Sequence, residues 1–229
     1  ASMFASQRFP ATESAAAGVS FGDMFAEIRR PLFLLIWVCM WLTAATELGP
    51  GQWYANIFNE VMHSSTQAGI ILLVFVNGIM WMMRNFFGWL PPRVAPPLLI
   101  ALTAPLAALG LYLFGKADTP VMWFVAATLL AVGTAFWWPT MLGITSERFP
   151  RGGPLLLAII GASGAISTAL AGPVMGWIND TYGADAVLPT WALLPAVLTG
   201  VFLLIHVADR ARGGYRIESV QFNGERARP

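Results

Sequence analysis

Cysteine and charge are the two scarcities of this chain. Its 229 residues include one cysteine, Cys39, and only 11% of them are charged, against about 25% in a soluble domain. A single cysteine excludes a disulfide framework and a Cys-based zinc site by counting alone. Twelve acids against thirteen bases leave a net charge of +1, so there is no broad basic face for nucleic acid and no nucleic-acid partner is expected. The phosphate-cradling loop of the Gly-x-x-x-x-Gly-Lys type is missing, so ATP is not the energy source within this chain. No metal or cofactor is expected. What the chain has in excess is apolar surface, with 57% hydrophobic residues and 22 glycines. That composition is the opposite of a disordered chain's. The remaining class is an integral membrane protein, with the lipid bilayer as its first partner.

A bilayer core about 30 Å thick needs roughly 20 apolar residues in helical form. Six stretches qualify, at about 31–58, 67–90, 96–115, 120–143, 153–179 and 186–208. They are too long for barrel strands and lack the alternation of one. The expected organisation is a polar linker over 1–30 with a short amphipathic helix at about 20–30, a six-helix transmembrane domain over 31–208, and a polar, mobile tail over 209–229. The fold class is all-α. Ser20 and Asp23 form a capping box that opens the short helix, with Phe21, Met24, Phe25 and Ile28 at helical spacing. No cleavable signal peptide is expected, because the first 30 residues are polar.

An even number of spans puts both termini on one side. That side receives Arg8, Arg29, Arg30, Arg84, Arg93, Arg148, Arg151, Arg210, Arg212, Arg216, Arg226 and Arg228, and the other only Lys116. This asymmetry predicts cytoplasmic termini in a plasma or inner membrane.

Glu47 is the only acid inside a span. At about 1.5 Å per residue it lies roughly 24 Å from Pro31, where a lipid-facing carboxylate costs at least about 2.5 kcal/mol. It should face a cavity, pair with a cation or hold a proton. Gly49-Pro50-Gly51 follows, and marks either a helix broken at membrane depth or an ordinary helix end. Trp53 and Asn56, with Gln52, offer an aromatic beside amides, which suits a sugar; an interfacial aromatic belt accounts for Trp53 as well. Asn77 is the one amide in the middle of the second span, a hydrogen-bonding group for solute or glue between helices. Trp137 and Trp138 sit in the fourth span, where one can stack on a ligand while the other packs. Gly164, Thr168, Gly172 and Gly176 recur every four residues along the fifth, a stripe for close packing.

Two other classes compete. Ser163 and His206 are the residue types of an intramembrane rhomboid-like serine protease, but His206 sits near the end of its helix while Ser163 lies about 15 Å inside its own. A non-transporting scaffold or receptor on the same fold is the third class.

The stretch Phe136-Trp-Trp-Pro-Thr-Met-Leu-Gly-Ile-Thr-Ser-Glu-Arg-Phe-Pro-Arg-Gly-Gly153 resembles the tenth helix and following loop of the major facilitator superfamily of transporters. Ala171-Gly-Pro-Val-Met-Gly-Trp-Ile-Asn-Asp-Thr-Tyr-Gly183 is similar to the end of its eleventh helix. Gly88-Trp-Leu-Pro-Pro-Arg-Val-Ala-Pro96 resembles the family's loop signature, with Gly88 and Arg93 in place, Pro92 where the acid belongs and Ala95 where the second glycine belongs. Glu47-Leu-Gly-Pro-Gly-Gln-Trp53 is similar to the family's fucose and other sugar permeases.

The resemblance implies one six-helix half of that fold, built of two inverted three-helix repeats, with the N-terminal six-helix half as missing partner. It implies a secondary active transporter of a small polar solute such as a sugar, ion- or proton-coupled, and not an enzyme. Pro31 and Pro120 open the two triplets, and Glu47 and Phe136 lie sixteen residues on from each. The resemblance also implies a cytoplasmic gate in which Arg93 meets Glu147 in the outward-open state, next to Arg148, with Arg84 competing for the same carboxylate.

Overall fold

A computed structural model of the chain describes residues 18–61 and 66–219. The expected linker stretch 1–17 with Arg8, and Arg226 and Arg228 of the tail, lie outside the described residues. The first element is helix α1 (Phe21–Ile28), and both halves of the capping box are formed at its start. The Ser20 hydroxyl accepts from the Asp23 N–H, and the Asp23 carboxylate accepts from the Ser20 N–H. These bonds hold the Asp23 carboxyl below its ordinary value. Phe21 and Phe25 stand exposed on α1, their rings 6.2 Å apart.

Long apolar helices follow: α2 (Pro31–Val61), α3 (Thr66–Phe86), α4 (Pro96–Phe114), α5 (Pro120–Thr134) continued by α6 (Trp137–Arg148), α7 (Gly153–Tyr182), and α8 (Ala184–Trp191) continued by α9 (Leu193–Ala211). They make six spans long and apolar enough to cross a bilayer, so the chain is a multi-pass membrane protein. The first span packs on the second and fifth, the third on the fourth and sixth, and the second on the fourth.

Proline acts differently in the first, fourth and sixth spans. Pro139 has no N–H, so the carbonyl of Ala135, four residues back, has no helical donor. The fourth span breaks there, between α5 and α6. Pro189 and Pro195 flank the break at Ala192 in the sixth span. Pro50, where the sequence suggests a break or an end, produces neither, and α2 runs through it to Val61. Tertiary packing surrounds α2 at this point. A side chain on Gly49 would meet the Trp191 indole at 3.2 Å, and Trp191 donates from Nε1 to the Ala45 carbonyl at 2.9 Å.

The third and fourth spans approach backbone to backbone. A Cβ on Gly110 would sit 2.7 Å from the Ala126 carbonyl oxygen, and one on Gly133 would sit 2.6 Å from the Ala107 nitrogen. The expected stripe on the fifth span is tight at one position only. A Cβ on Gly164 would lie 2.2 Å from the Trp138 ring, whereas at Gly172 and Gly176 the nearest neighbours, Gln52 and Trp53, stay at 3.4 and 3.7 Å.

Because the atoms facing Gly133 are backbone and cannot swing aside, Gly133→Val should lower stability by about 1–3 kcal/mol. Gly200→Ala, where the space is open, should leave it within about 0.5 kcal/mol. Thermal unfolding of the purified protein in detergent distinguishes the two, and equal midpoints would refute the close approach.

Candidate functional site

Arg84 is the residue on which the site is built. The sequence reading counts it with the arginines of the cytoplasmic face and makes it a competitor for Glu147. The structure turns it into the bundle. Its Nη2 donates to Glu47 Oε1 at 3.0 Å, and its Nε donates to the Ala135 carbonyl at 2.6 Å. The second bond fills the acceptor that Pro139 leaves open, so one guanidinium ties the first and second spans to the break in the fourth. The Glu47 side chain is 6% exposed and Arg84 is 42% exposed. Glu47 Oε2 is buried with no hydrogen-bond partner among the described residues. A buried carboxylate with one free oxygen can take a proton, or a hydroxyl from a ligand, and Arg84 stands between it and open space.

That space is a cavity of about 740 Å³ beside Arg84, lined by the loop after α3 (Gly88, Arg93), one face of α6 (Pro139, Glu147) and the tail (Tyr215, Ile217). Three of the four residues expected at the gate, Arg84, Arg93 and Glu147, therefore border one cavity. The expected Arg93–Glu147 pair is not formed. Arg93 instead donates to the Trp89 carbonyl at 2.5 Å and stacks on the Trp89 ring at 5.1 Å. Glu147 accepts from the Tyr215 hydroxyl at 2.6 Å. Arg148, the fourth, points elsewhere and pairs with Asp209.

Residues 213–218 of the tail are docked, where the sequence suggests mobility. The Glu218 N–H donates to the Glu147 carbonyl at 2.8 Å. The Glu218 carboxylate receives both terminal nitrogens of Arg30, at 3.0 and 2.7 Å. This bidentate bond holds the Glu218 carboxyl below its ordinary value and the Arg30 guanidinium above its own. Arg148 lies 4.6 Å over the Tyr215 ring. Burial, then the bond to Glu147, pushes the Tyr215 phenol up.

The residues expected to contact solute are spread out. Trp137 is fully buried, and its Nε1 donates to Thr103 Oγ1 at 2.9 Å, so it supports the wall from behind. Trp138 is half-buried over Gly164. Trp53 is half-buried near Gly176, Asn56 is exposed, and Asn77 is exposed with its amide turned back to its own helix at Leu73, 2.8 Å away. Trp53, Asn56 and Asn77 do not border the cavity at Arg84. The Ser163 hydroxyl donates to the Ile159 carbonyl and accepts from Trp37 Nε1, both at 2.6 Å. Nothing joins it to His206, and the protease reading is not favoured. Thr103 and Tyr215 were not singled out by the sequence. Pro139, four residues after Ala135, was the available sign that a carbonyl needs a partner.

No family model matches the sequence. Among solved structures, the crystal structure of the E. coli fucose:proton symporter, FucP, matches with a TM-score of 0.72 at 19% identity, over 89% of this chain and 50% of that one. This chain therefore shares the fold of about half of that symporter. The chain spans half the length of the symporter it matches.

If Arg84 neutralises a buried carboxylate and a stranded carbonyl together, Arg84→Ala should cost roughly 1–3 kcal/mol. The loss should shrink in a Glu47→Gln background, with a coupling of at least about 1 kcal/mol in a double-mutant cycle read by unfolding in detergent. Additive single effects would dismiss the pair.

Proposed function

We propose that this chain is the C-terminal half of a secondary active transporter that carries a small polar solute, such as a sugar, by alternating access, coupled to a proton or another cation. The observation that carries the reading is the buried Glu47 carboxylate paired with the exposed Arg84, which borders a cavity inside half of a transporter fold. The matching structure is that of a fucose:proton symporter, which supports both the sugar and the proton. The proposed partners are the bilayer, the solute and a preceding six-helix half. The arginine asymmetry supports a cell membrane setting with both termini cytoplasmic.

In this reading Glu47 carries the coupled charge. With Glu47 ionised, Arg84 is held between it and Ala135. A proton on Glu47 removes the attraction and frees the guanidinium toward the cavity. Trp53, Asn56, Asn77 and Trp138 then supply stacking and amide contacts from this half's share of the central pathway, with Trp137 behind them. Each half of such a fold works against the other about a site near mid-membrane.

Glu47→Gln in the complete transporter should abolish ion-driven accumulation in proteoliposomes while preserving solute exchange. Normal accumulation across pH would remove Glu47 from the coupling step.

Arg93 and Glu147, on opposite walls of one cavity, are proposed to pair when that cavity closes. A pair at a wet surface contributes about 0–1 kcal/mol, enough to move a two-state ratio by up to about fivefold. Glu147→Gln should shift the carrier toward its inward-open form without unfolding it, and exchanging the two charges should restore part of the balance. Distances between spin labels across the inner mouth report this, and a swap that rescues nothing would end the idea.

A further inference from the structure

The tail leaves α9 through two glycines. Gly213 and Gly214 have φ of +97° and +105°, a backbone that L side chains rarely adopt. The Gly214 N–H caps the helix by donating to the Asp209 carbonyl at 2.8 Å. The reversal sends Tyr215 and Glu218 back beneath the bundle, against the ends of the first and fourth spans. Tyr215 meets Glu147 and Arg148 at the end of the fourth span. Glu218 meets Glu147 by its N–H and Arg30, just before the first span, by its carboxylate. Arg30 in turn donates to the Arg148 carbonyl at 3.3 Å and lies 4.9 Å over Phe149. Asp209, at the end of the sixth span, takes Arg148. Residues 213–218 thus join the end of the sixth span to the ends of the first and fourth, alongside the direct Arg30–Arg148 and Arg148–Asp209 bonds, and two of them, Tyr215 and Ile217, also line the cavity.

We infer that residues 213–218 are a latch. Docked, the segment holds these three span ends together and narrows access to the cavity; released, it lets that end spread and the cavity open. The bonds it makes are suited to release. Arg30 is 37% and Glu218 48% exposed, so water competes for them, and a pair of this exposure biases a two-state equilibrium by no more than about fivefold. Two such contacts acting together, the Arg30–Glu218 fork and the Tyr215–Glu147 bond, give a switch that is closed at rest and not locked. As a control on transport, the latch rests on the carrier reading above; as a closure of the cavity, it does not.

The test reads cavity access directly. Gly143 borders the cavity and a Cβ there meets nothing within 4 Å, so Gly143→Cys is a mild probe once the buried Cys39 is replaced by alanine. The complete protein is placed in nanodiscs, where both faces are open, and the rate of modification by a membrane-impermeant maleimide is followed. Glu218→Gln combined with Tyr215→Phe should raise that rate at least about fivefold, and removal of everything after Arg212 should raise it as much or more. Reversing the fork, Arg30→Glu with Glu218→Arg, should return the rate to within about twofold of the starting protein. An unchanged rate in both the double variant and the truncation overturns the latch, whatever the protein transports. A raised rate in a protein that moves no solute in proteoliposomes keeps the latch and removes the carrier reading.

Discussion

A guanidinium inside the bundle, bonded at once to a carboxylate and to a backbone carbonyl, is the constraint around which this structure is arranged. Either partner alone would be costly at that depth. A buried carboxylate without a cation loses its hydration and gains little in return, and a carbonyl stripped of its helical donor by proline costs about what a lost hydrogen bond costs. Arg84 answers both needs, and in doing so fixes the second span against the first and fourth. The break between α5 and α6 is therefore a stable feature. Its free carbonyl has a charged donor, and its free end carries Trp137 into the core, where Thr103 accepts the indole proton.

The prolines show why local chemistry alone does not place such breaks. Pro50, Pro139 and Pro173 each sit within a long span and each remove one donor. Only at Pro139 does a neighbouring helix present a charged donor to the stranded carbonyl, and only there, of the three, does the helix end. At Pro50 the surroundings oppose a bend, because Trp191 is packed on Gly49 and bonded one turn below. The same residue type lies in a continuous helix or beside a broken one, and what faces it from another span differs between the two.

This divides what was legible in the sequence from what was not. Span number and approximate limits follow from runs of apolar residues, a property each segment carries by itself. The fold half follows from motifs at span ends. The importance of Glu47 was readable because a single acid in an apolar run has few ways to be stable. Its partner was not readable, since Arg84 lies 37 positions away and the charge pattern alone assigns it to the aqueous face. Asn77 illustrates the converse: a lone amide in an apolar helix has its own backbone four residues back as a ready acceptor, and uses it. The tail was the largest miss. Polar composition describes an unattached segment correctly, but the partners that attach this one, Arg30 and Glu147, come from the start of the first span and the end of the fourth.

The two ties differ in strength as well as depth, and the order matters for the proposed cycle. Arg84 bonds a carboxylate that water scarcely reaches, where attraction between charges is strong because the surrounding dielectric is low. Arg30 and Glu218 face solvent, where the same attraction is largely screened. An equal push on both therefore loosens the outer tie first. Separation of the span ends can begin while Arg84 still joins the first, second and fourth spans deeper in the bundle, so the ends part about the inner tie. Release of Arg84 needs a change in Glu47 itself, by a proton or a ligand hydroxyl on its free oxygen. On the carrier reading proposed above, this order admits water to the mouth before the charge at the centre changes.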